Sequence, residues 1–255
     1  MKLHIFAQYY CIYTMSTYRE IIYMINDQLK LFSDDSSFTE DHIRFIAKNL
    51  RSFIIEKKYK NSTDIPYSNY QTICLDLEET PAIAGTDCFG SYLKSTKKVP
   101  SIFLFGGHTI YPVDFISSKM ISLVSVDRIK YAGEGNPYLS NMIYATIGPD
   151  DYLYLKSKNP QFLYLKKVRF MSLFVDAEAA SELECDSNGE KIVCDILDKE
   201  FPLDNSLIEL LINYAVTELG GQRYMPTDKI NNASDDNSGV MSPNTRYKQP
   251  TVNYD

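Results

Sequence analysis

The stretch "YREIIYMINDQLKLFSDDSSFTEDHIRFIAKNLRSFIIEKKYK", residues 18–60, has the pattern of two amphipathic helices joined by a polar break. In its first part, apolar side chains recur three and four residues apart, which is the spacing of one helical face. The segment "SDDSS" then interrupts this pattern. The first apolar stripe consists of Tyr18, Ile21, Ile22, Ile25, Leu29 and Phe32.

The second helix carries signals at both of its ends. Ser37 and Glu40 have capping-box spacing, and Lys57 and Lys58 lie where a helix favours positive charge. Two amphipathic helices joined by about five polar residues are expected to pack as an antiparallel hairpin, here over residues 15–61. The second stripe consists of Ile43, Ile46, Ala47, Leu50, Phe53 and Ile54.

Beyond the hairpin the pattern changes to short β-rich runs separated by Pro and Gly, over residues 62–202. Gly106–Gly107, between "SIFLF" and "HTIYPV", predicts a two-residue β-hairpin, and Asn188–Gly189 predicts another. The second register places Cys185 opposite Ile192, so a Cys185–Cys194 disulfide is not expected. The sequence "GPDD" at 148–151 predicts a turn.

Helical spacing returns only after Pro202, with Asp204 as the expected cap and Gly220–Gly221 as the end. A single helix of this kind cannot bury its stripe alone, so we expect residues 203–221 to pack against the N-terminal hairpin. The predicted fold is α+β: a three-helix bundle interrupted by a mostly β insertion. The third stripe consists of Leu207, Leu210, Leu211, Tyr214 and Ala215.

The two ends of the chain differ from its body. Residues 1–14 precede a possible helix cap and a second methionine, Met15, and we interpret them as an N-terminal extension from an upstream start. Residues 222–255 combine many polar side chains with only scattered apolar ones. Such a segment buries too little apolar surface to fold alone. It is either a loose tail or an arm held by something else.

Charge and composition restrict the function classes. The net charge of -7 argues against a protein that grips a phosphate backbone over a broad face. Five cysteines without any C-x-x-C pair predict buried, reduced thiols, and no apolar run approaches a membrane span, so we expect synthesis in the cytoplasm. Twenty Tyr without Trp fit an interface-rich protein, although an AT-rich genome explains them equally well.

A search for catalytic groups returns little. The histidines are His4, His42 and His108, and we expect His108 to be a polar hairpin residue rather than a base. The pair Asp150–Asp151 resembles the start of a metal-dependent nuclease motif, but no downstream acidic residue has a Lys two positions later. We therefore predict no catalytic, cofactor-binding or metal-ligating residues, and no enzymatic activity.

Basic residues alternate with aromatic ones in "LKSTKK" and "YLKSKNPQFLYLKKVR". This spacing serves single-stranded nucleic acid in some proteins. It is also the pattern of a strand with one solvated face, and we favour the latter interpretation.

Four stretches together carry a resemblance to a known group of proteins. They are residues 18–60 quoted above, "YQTICLDLE", "NPYLSNMIYATIGPDDYLYLKSKNPQFLYLKKV" and "YMPTDKINNASDDN". From about Met15 to about Asn237 the chain resembles a virion structural protein of the crAss-like podoviruses, which infect Bacteroides-type bacteria. Residues 1–14 lie outside the resemblance.

The resemblance implies a ring protein of the phage tail or head–tail connector. In such a ring the protein is repeated twelve times around the portal. The ring stacks on the portal or on adjacent ring proteins and extends the channel through which genomic DNA passes without specific binding. It resides in the virion, and the resemblance brings no catalytic residues and no membrane association.

In a ring of this kind, residues 222–255 have a natural role as an arm that crosses to a neighbour. Thirty-four residues reach roughly 110 Å when extended. The expected anchors along this arm are Tyr224, Met225, Ile230, Val240, Met241, Tyr247, Val252 and Tyr254.

Two alternatives come from other classes. The first is a metal-dependent, nucleic-acid-processing phage enzyme that uses Asp150 and Asp151. The second is a single-stranded DNA-binding module that uses the basic strands, for which strongly salt-dependent binding is expected.

Overall fold

The computed structural model has the α+β class predicted from the sequence. It describes residues 16–32, 38–62, 64–113, 120–134, 137–185 and 195–221. Two compact units divide the chain. Of the described residues, those within 16–18 and 55–205 form the sheet unit, and those within 19–54 and 206–221 form the helical unit.

Long helices lie near the two ends of the described chain, and the strands lie between them. The α-helices are α1 (Tyr18–Phe32), α2 (Glu40–Tyr59), α3 (Val126–Ile129), α4 (Ala177–Ser181) and α5 (Asn205–Leu219). The strands are β1 (Gln71–Ala82), β2 (Phe89–Lys98), β3 (Thr109–Pro112), β4 (Ser122–Leu123), β5 (Tyr144–Ile147), β6 (Tyr152–Lys156) and β7 (Lys167–Ser172). Short 3-10 helices span Tyr67–Asn69, Pro137–Leu139, Pro160–Tyr164 and Ile196–Asp198.

Helix α1 confirms the first predicted stripe. The helix begins at Tyr18 and ends at Phe32, as the apolar spacing indicates. The side chains of this stripe whose burial is described are all buried: Tyr18, Ile21, Ile22, Ile25 and Leu29.

Helix α2 is confirmed, but its buried face is rotated from the predicted one. Phe53 is 52% exposed, whereas Arg51 is fully buried. The residues of the buried face are about four positions apart and include Arg51. A search for stripes of apolar residues does not detect an arginine on such a face. The helix begins after Thr39, whose hydroxyl accepts a hydrogen bond from the His42 amide at 3.3 Å. The predicted cap Ser37 lies outside the described residues.

Helix α5 begins directly after Asp204, as predicted, and its buried face is wider than the predicted stripe. Ile208, Ile212 and Val216 are buried in addition, while Leu210 is 39% exposed. The long helices α1, α2 and α5 lie mostly within the helical unit. There, the ring of Phe53 on α2 meets that of Tyr214 on α5 edge-on at 6.4 Å. The three-helix bundle itself stays a prediction.

The seven strands of the described residues form a single sheet that closes on itself. Their order is β3-β7-β1-β2-β6-β5-β4, with antiparallel neighbours except for the parallel pair β4 and β5. The two outer strands meet because Ile121 donates its amide hydrogen to the Ile110 carbonyl at 2.8 Å. Closure removes most of the unpaired strand edge that an open sheet would present.

The interior of the closed sheet is filled by apolar side chains from all its sides. Alternate residues of each strand point inward, as the two-residue period of a strand requires. Members of this core include Ile73, Leu75, Leu93, Ile110, Ile121, Ala145, Leu153, Leu155, Val168 and Phe170. The interior is therefore a packed core.

A second, smaller core lies on the outer face of β2 and β6. Tyr92 and Tyr154 point outward from these strands and are fully buried. Ile129 of α3 and the β1–β2 turn residues Ile83 and Cys88 cover them. The tip of the β1–β2 hairpin is tied down because the Ala84 amide donates to the Tyr154 hydroxyl at 3.3 Å.

The predicted Gly106–Gly107 hairpin is wrong. β3 pairs with β7, and "SIFLF" makes only the isolated bridge Ile102↔Phe174. The reason for a glycine at 106 is close packing: a Cβ there would lie 2.6 Å from Leu173 Cδ1. The stretch "LKSTKK", interpreted from the sequence as a strand with one solvated face, lies in β2 (Phe89–Lys98). The Asn188–Gly189 hairpin lies outside the described residues.

The expectation that the cysteines are reduced thiols is also wrong, for one pair. Cys74 and Cys185 form a disulfide with their Cα atoms 5.7 Å apart. The bridge between Ile73 and Glu184 brings these two segments together. Because Cys74 and Cys185 are 111 residues apart, no local sequence pattern identifies them as a pair. Cys88 is a buried free thiol, whereas Cys11 and Cys194 lie outside the described residues.

Candidate interaction surfaces

Among the histidines in the described part of the chain, His108 is the stronger candidate for a catalytic base. Its Nδ1 lies 2.9 Å from the Ser172 hydroxyl, and burial lowers its pKa. Ser172, however, is fully buried on β7, so no substrate can reach its hydroxyl. The pair therefore ties the segment before β3 to β7. His108 is not in a hairpin, so the sequence-based placement was wrong although the structural role was expected.

The other polar groups do not converge on a metal-binding geometry in the described segments. Among those residues, no group of three or more His, Cys, Asp or Glu side chains could hold a metal ion. His42 stacks on the ring of Phe38 at the start of α2.

Asp150 is held in a clamp at the turn between β5 and β6. Its Oδ2 accepts hydrogen bonds from Lys94 Nζ at 3.0 Å and from the Tyr154 hydroxyl at 2.8 Å. The Lys94 ammonium also lies 3.9 Å from the centre of the Tyr152 ring. The predicted turn is confirmed, because the Asp151 amide donates to the Gly148 carbonyl at 3.1 Å. The clamp joins β2 to the β5–β6 turn.

The clamp shifts the pKa values of its members. Burial alone raises the pKa of Asp150, but the hydrogen bonds from Tyr154 and Lys94 outweigh it, and the pKa lies below its ordinary value. Burial alone lowers the pKa of Lys94, yet its bonds to Asp150 and Tyr154 raise the pKa above the usual lysine value. Asp150 is therefore ionised and engaged by a cation at neutral pH, which suits a structural ion pair.

The basic strand residues lie on outward-facing positions and pack on aromatic rings. Lys98 lies over Tyr152 and Lys156 lies over Tyr92, at 5.9 and 5.7 Å from the ring centres. Lys98 also pairs with Asp151. These contacts favour the interpretation of "LKSTKK" as a half-solvated strand over that of a nucleic-acid site.

The strand register defines two opposite ends of the closed sheet. At one end lie the start of β1 and the end of β7, because Gln71 pairs with Ser172. At the other lie the start of β5 and the end of β6, because Tyr144 pairs with Lys156. Because β1 pairs antiparallel with β2, and β2 pairs antiparallel with β6, the start of β1 and the end of β6 lie at opposite ends of the closed sheet.

We name the first end the acidic end and define it by residues 64–70, 99–108, 148–151 and 173–185. These described segments contain no Lys or Arg. Tyr67 and Leu104 project from them with exposed fractions of 82% and 87%. The Gly107 amide donates to the Tyr70 hydroxyl at 3.3 Å, which joins the two projecting segments. The acidic side chains of this end are Asp64, Asp150, Asp151, Asp176, Glu178, Glu182 and Glu184. Three of them form ion pairs with lysines of adjoining segments: Asp150 with Lys94, Asp151 with Lys98 and Glu184 with Lys199.

We name the opposite end the basic end and define it by the described parts of residues 130–143 and 156–167. Its two loops are joined because Ser157 donates to the Met142 carbonyl at 2.9 Å and Lys156 donates to the Lys130 carbonyl at 2.7 Å. Tyr138 is 91% exposed, and Tyr131 and Tyr164 are also largely exposed. The basic side chains of this end are Lys130, Lys156, Lys158, Lys166 and Lys167, with Glu134 as an acidic one.

Sequence reasoning missed both ends. The high tyrosine content was a signal that interfaces were present, but only the register shows which tyrosines share an end. A further exposed apolar group lies on the helical unit, where Leu31 is 75% and Phe45 is 59% exposed. Within the described residues, no helix combines the length and the apolar character that crossing a bilayer requires.

The predicted arm anchors cannot be placed. All of them lie outside the described residues: Tyr224, Met225, Ile230, Val240, Met241, Tyr247, Val252 and Tyr254.

Comparison with known proteins gives two findings. Residues 20–237 match the family described as phage tail ring protein 2. A relative named Ring protein 2, from Bacteroides phage crAss001, is 48% identical over 223 residues. That similarity covers 86% of this chain and 97% of the relative.

Proposed function

Because the chain belongs to the phage tail ring protein 2 family, we propose that it builds one closed ring of the passage between the phage capsid and the tail. Membership makes the chain a structural phage protein that associates with itself and with neighbouring virion proteins. The finer proposal is a ring of twelve copies in the head–tail connector or tail barrel. It stacks on the portal or on an adjacent ring protein and lines the DNA channel.

The observation that carries this proposal is the extent of the family match. The match begins at residue 20, within α1, and continues past α5 to residue 237. It therefore includes the helical unit, the sheet unit and part of the segment that follows them. A match of this extent supports a shared architecture and a shared structural role.

The terminal segment supports the ring in a second way. Residues 222–255 have a polar composition from which we expect no independent folding, and the family match includes their first part. An arm that crosses to a neighbouring copy or to the portal would add contact area without a larger core. The eight apolar side chains from Tyr224 to Tyr254 would be its anchors.

The charge of the chain suits a channel wall. Because each copy carries a net charge of -7, a ring of twelve copies would on balance repel a phosphate backbone. Repulsion of this kind lets DNA pass without being held, which is what ejection through a channel requires.

Mass photometry of the full-length chain and of a chain cut after Gly221, each with and without the portal, tests the proposal. We expect the full-length chain to form rings of about 350 kDa, twelve times its 29.3 kDa, or to join the portal. We expect the truncated chain to do neither. A full-length chain that stays monomeric in every mixture would contradict the ring, and equal assembly of both chains would contradict the role of the arm.

A further inference from the structure

A closed ring of identical copies needs two different surfaces on every copy. Each contact in such a ring is heterologous, since one patch of a copy meets a different patch of the next. The two patches must not overlap, and they must complement each other in charge and shape. The acidic and basic ends of the closed sheet meet the first requirement, because the strand register places them at opposite ends of one unit.

The two ends also complement each other in charge. In the acidic end, Asp64 and Glu182 are exposed. In the basic end, Lys130, Lys158 and Lys166 are exposed. Like ends repel each other, so the charges disfavour a symmetric pair of copies and favour a head-to-tail contact.

Each end presents large apolar side chains beside its charges. Tyr67 and Leu104 project from the acidic end, and Tyr131, Tyr138 and Tyr164 are exposed at the basic end. Aromatic side chains are enriched in the centres of protein interfaces, and charged side chains surround them at the rim. Exposed tyrosine and leucine with opposite charges beside them fit two halves of one interface.

We infer that the basic end of one copy contacts the acidic end of the next copy in the ring. In this contact the exposed tyrosines of the basic end pack on Tyr67 and Leu104, while Lys130 and Lys158 face Asp64 and Glu182. The inference rests on the proposed ring, and it names the surfaces through which the ring closes.

Photo-crosslinking in mixed rings tests the contact directly. Benzoylphenylalanine replaces Tyr138, and unlabelled and nitrogen-15-labelled chains are assembled together so that crosslinks between copies have mixed isotopes. We expect mixed-isotope crosslinks from position 138 to residues 64–70 or 101–107. The same probe in place of Tyr111 on β3 serves as the control and is expected to give none to these segments.

Charge reversal gives an independent readout. The variant K130E/K158E is expected to raise the concentration needed for half-assembly by about tenfold or more. Adding D64K/E182K to the same chain reverses both ends and is expected to restore assembly. The matched control K30E/K48E makes the same change of charge on helices α1 and α2 within the helical unit and is expected to assemble as the unchanged chain does.

The outcomes separate this inference from the ring itself. If the unchanged chain forms rings but position 138 crosslinks to other segments of the neighbour, the inference is overturned and the ring stands. If position 138 crosslinks to added DNA instead, the basic end is a nucleic-acid surface and the inference is likewise overturned. If the unchanged chain forms no ring, alone or with the portal, the proposed function fails and the inference fails with it.

Discussion

Loss of the Cys74–Cys185 disulfide is expected to destabilise the sheet unit strongly. The two cysteines are 111 residues apart, so the bond closes most of this unit into a loop. In the chain-entropy description, a loop of this length restricts the unfolded state by about 4.8 kcal/mol at 25 °C. For a unit of this size, about 4.8 kcal/mol corresponds to a fall of about 10–20 °C in Tm.

The assay is thermal unfolding followed by circular dichroism on non-reduced protein, on reduced protein and on the variant C74S/C185S. We expect reduction and the double substitution to lower Tm by similar amounts. A reductant should leave the Tm of C74S/C185S unchanged, which serves as the control. Peptide mapping that finds both cysteines alkylated in non-reduced protein, together with equal Tm values, would refute the reasoning.

Three further predictions concern the sheet unit and its assembly. Gly106→Ala should lower the free energy of unfolding by about 1–3 kcal/mol, because the added Cβ would lie 2.6 Å from Leu173. Gly107→Ala is the control and should change the free energy of unfolding little, because the nearest atom to its Cβ is 3.7 Å away. Equal effects of the two substitutions in denaturant unfolding would contradict the packing argument. Asp150→Asn should cost about 1–2 kcal/mol at pH 7. The pKa of Asp150 is lower in the folded state, so its contribution to the free energy of unfolding is present above the ordinary pKa of 3.8 and is lost as the pH falls through the lower folded-state pKa. In a pH series of unfolding curves, the stability of Asp150→Asn should therefore fall less steeply at acidic pH than that of the unchanged chain. Ring assembly should weaken between about 0.05 and 0.5 M salt because the contact between the two ends pairs exposed charges, and light scattering that shows no salt dependence would argue against charge pairing there.

The helices were predictable because their signal is local. Tyr18, Ile25 and Leu29 recur at helical spacing, and that spacing alone fixes both the helix and its buried face. Arg51 shows the limit of the method, since its place on the buried face of α2 depends on its neighbours in the fold and not on its hydropathy.

The sheet was predictable only in part because its pairing is not local. "YQTICLDL" identifies β1, but nothing in that run indicates that it pairs with both β2 and β7. Closure of the sheet rests on the single bridge between Ile110 and Ile121. The disulfide and both sheet ends depend on the same long-range register, so they too were beyond the reach of sequence patterns.

The coarse role of a structural phage ring protein was predictable from resemblance rather than from chemistry. The polar groups that attract attention in the sequence, His108 and Asp150, have structural roles in the fold. The family match bears out the resemblance to a crAss-like phage ring protein. The predicted anchors of the arm remain predictions.

Cryo-electron microscopy of the assembled full-length chain, with its rotational symmetry read from end-on views, tests the central claim most directly. The account predicts a closed ring of twelve copies around an open central channel, with the basic end of each sheet against the acidic end of the next. Isolated copies, or an open helical filament that never closes, would contradict it.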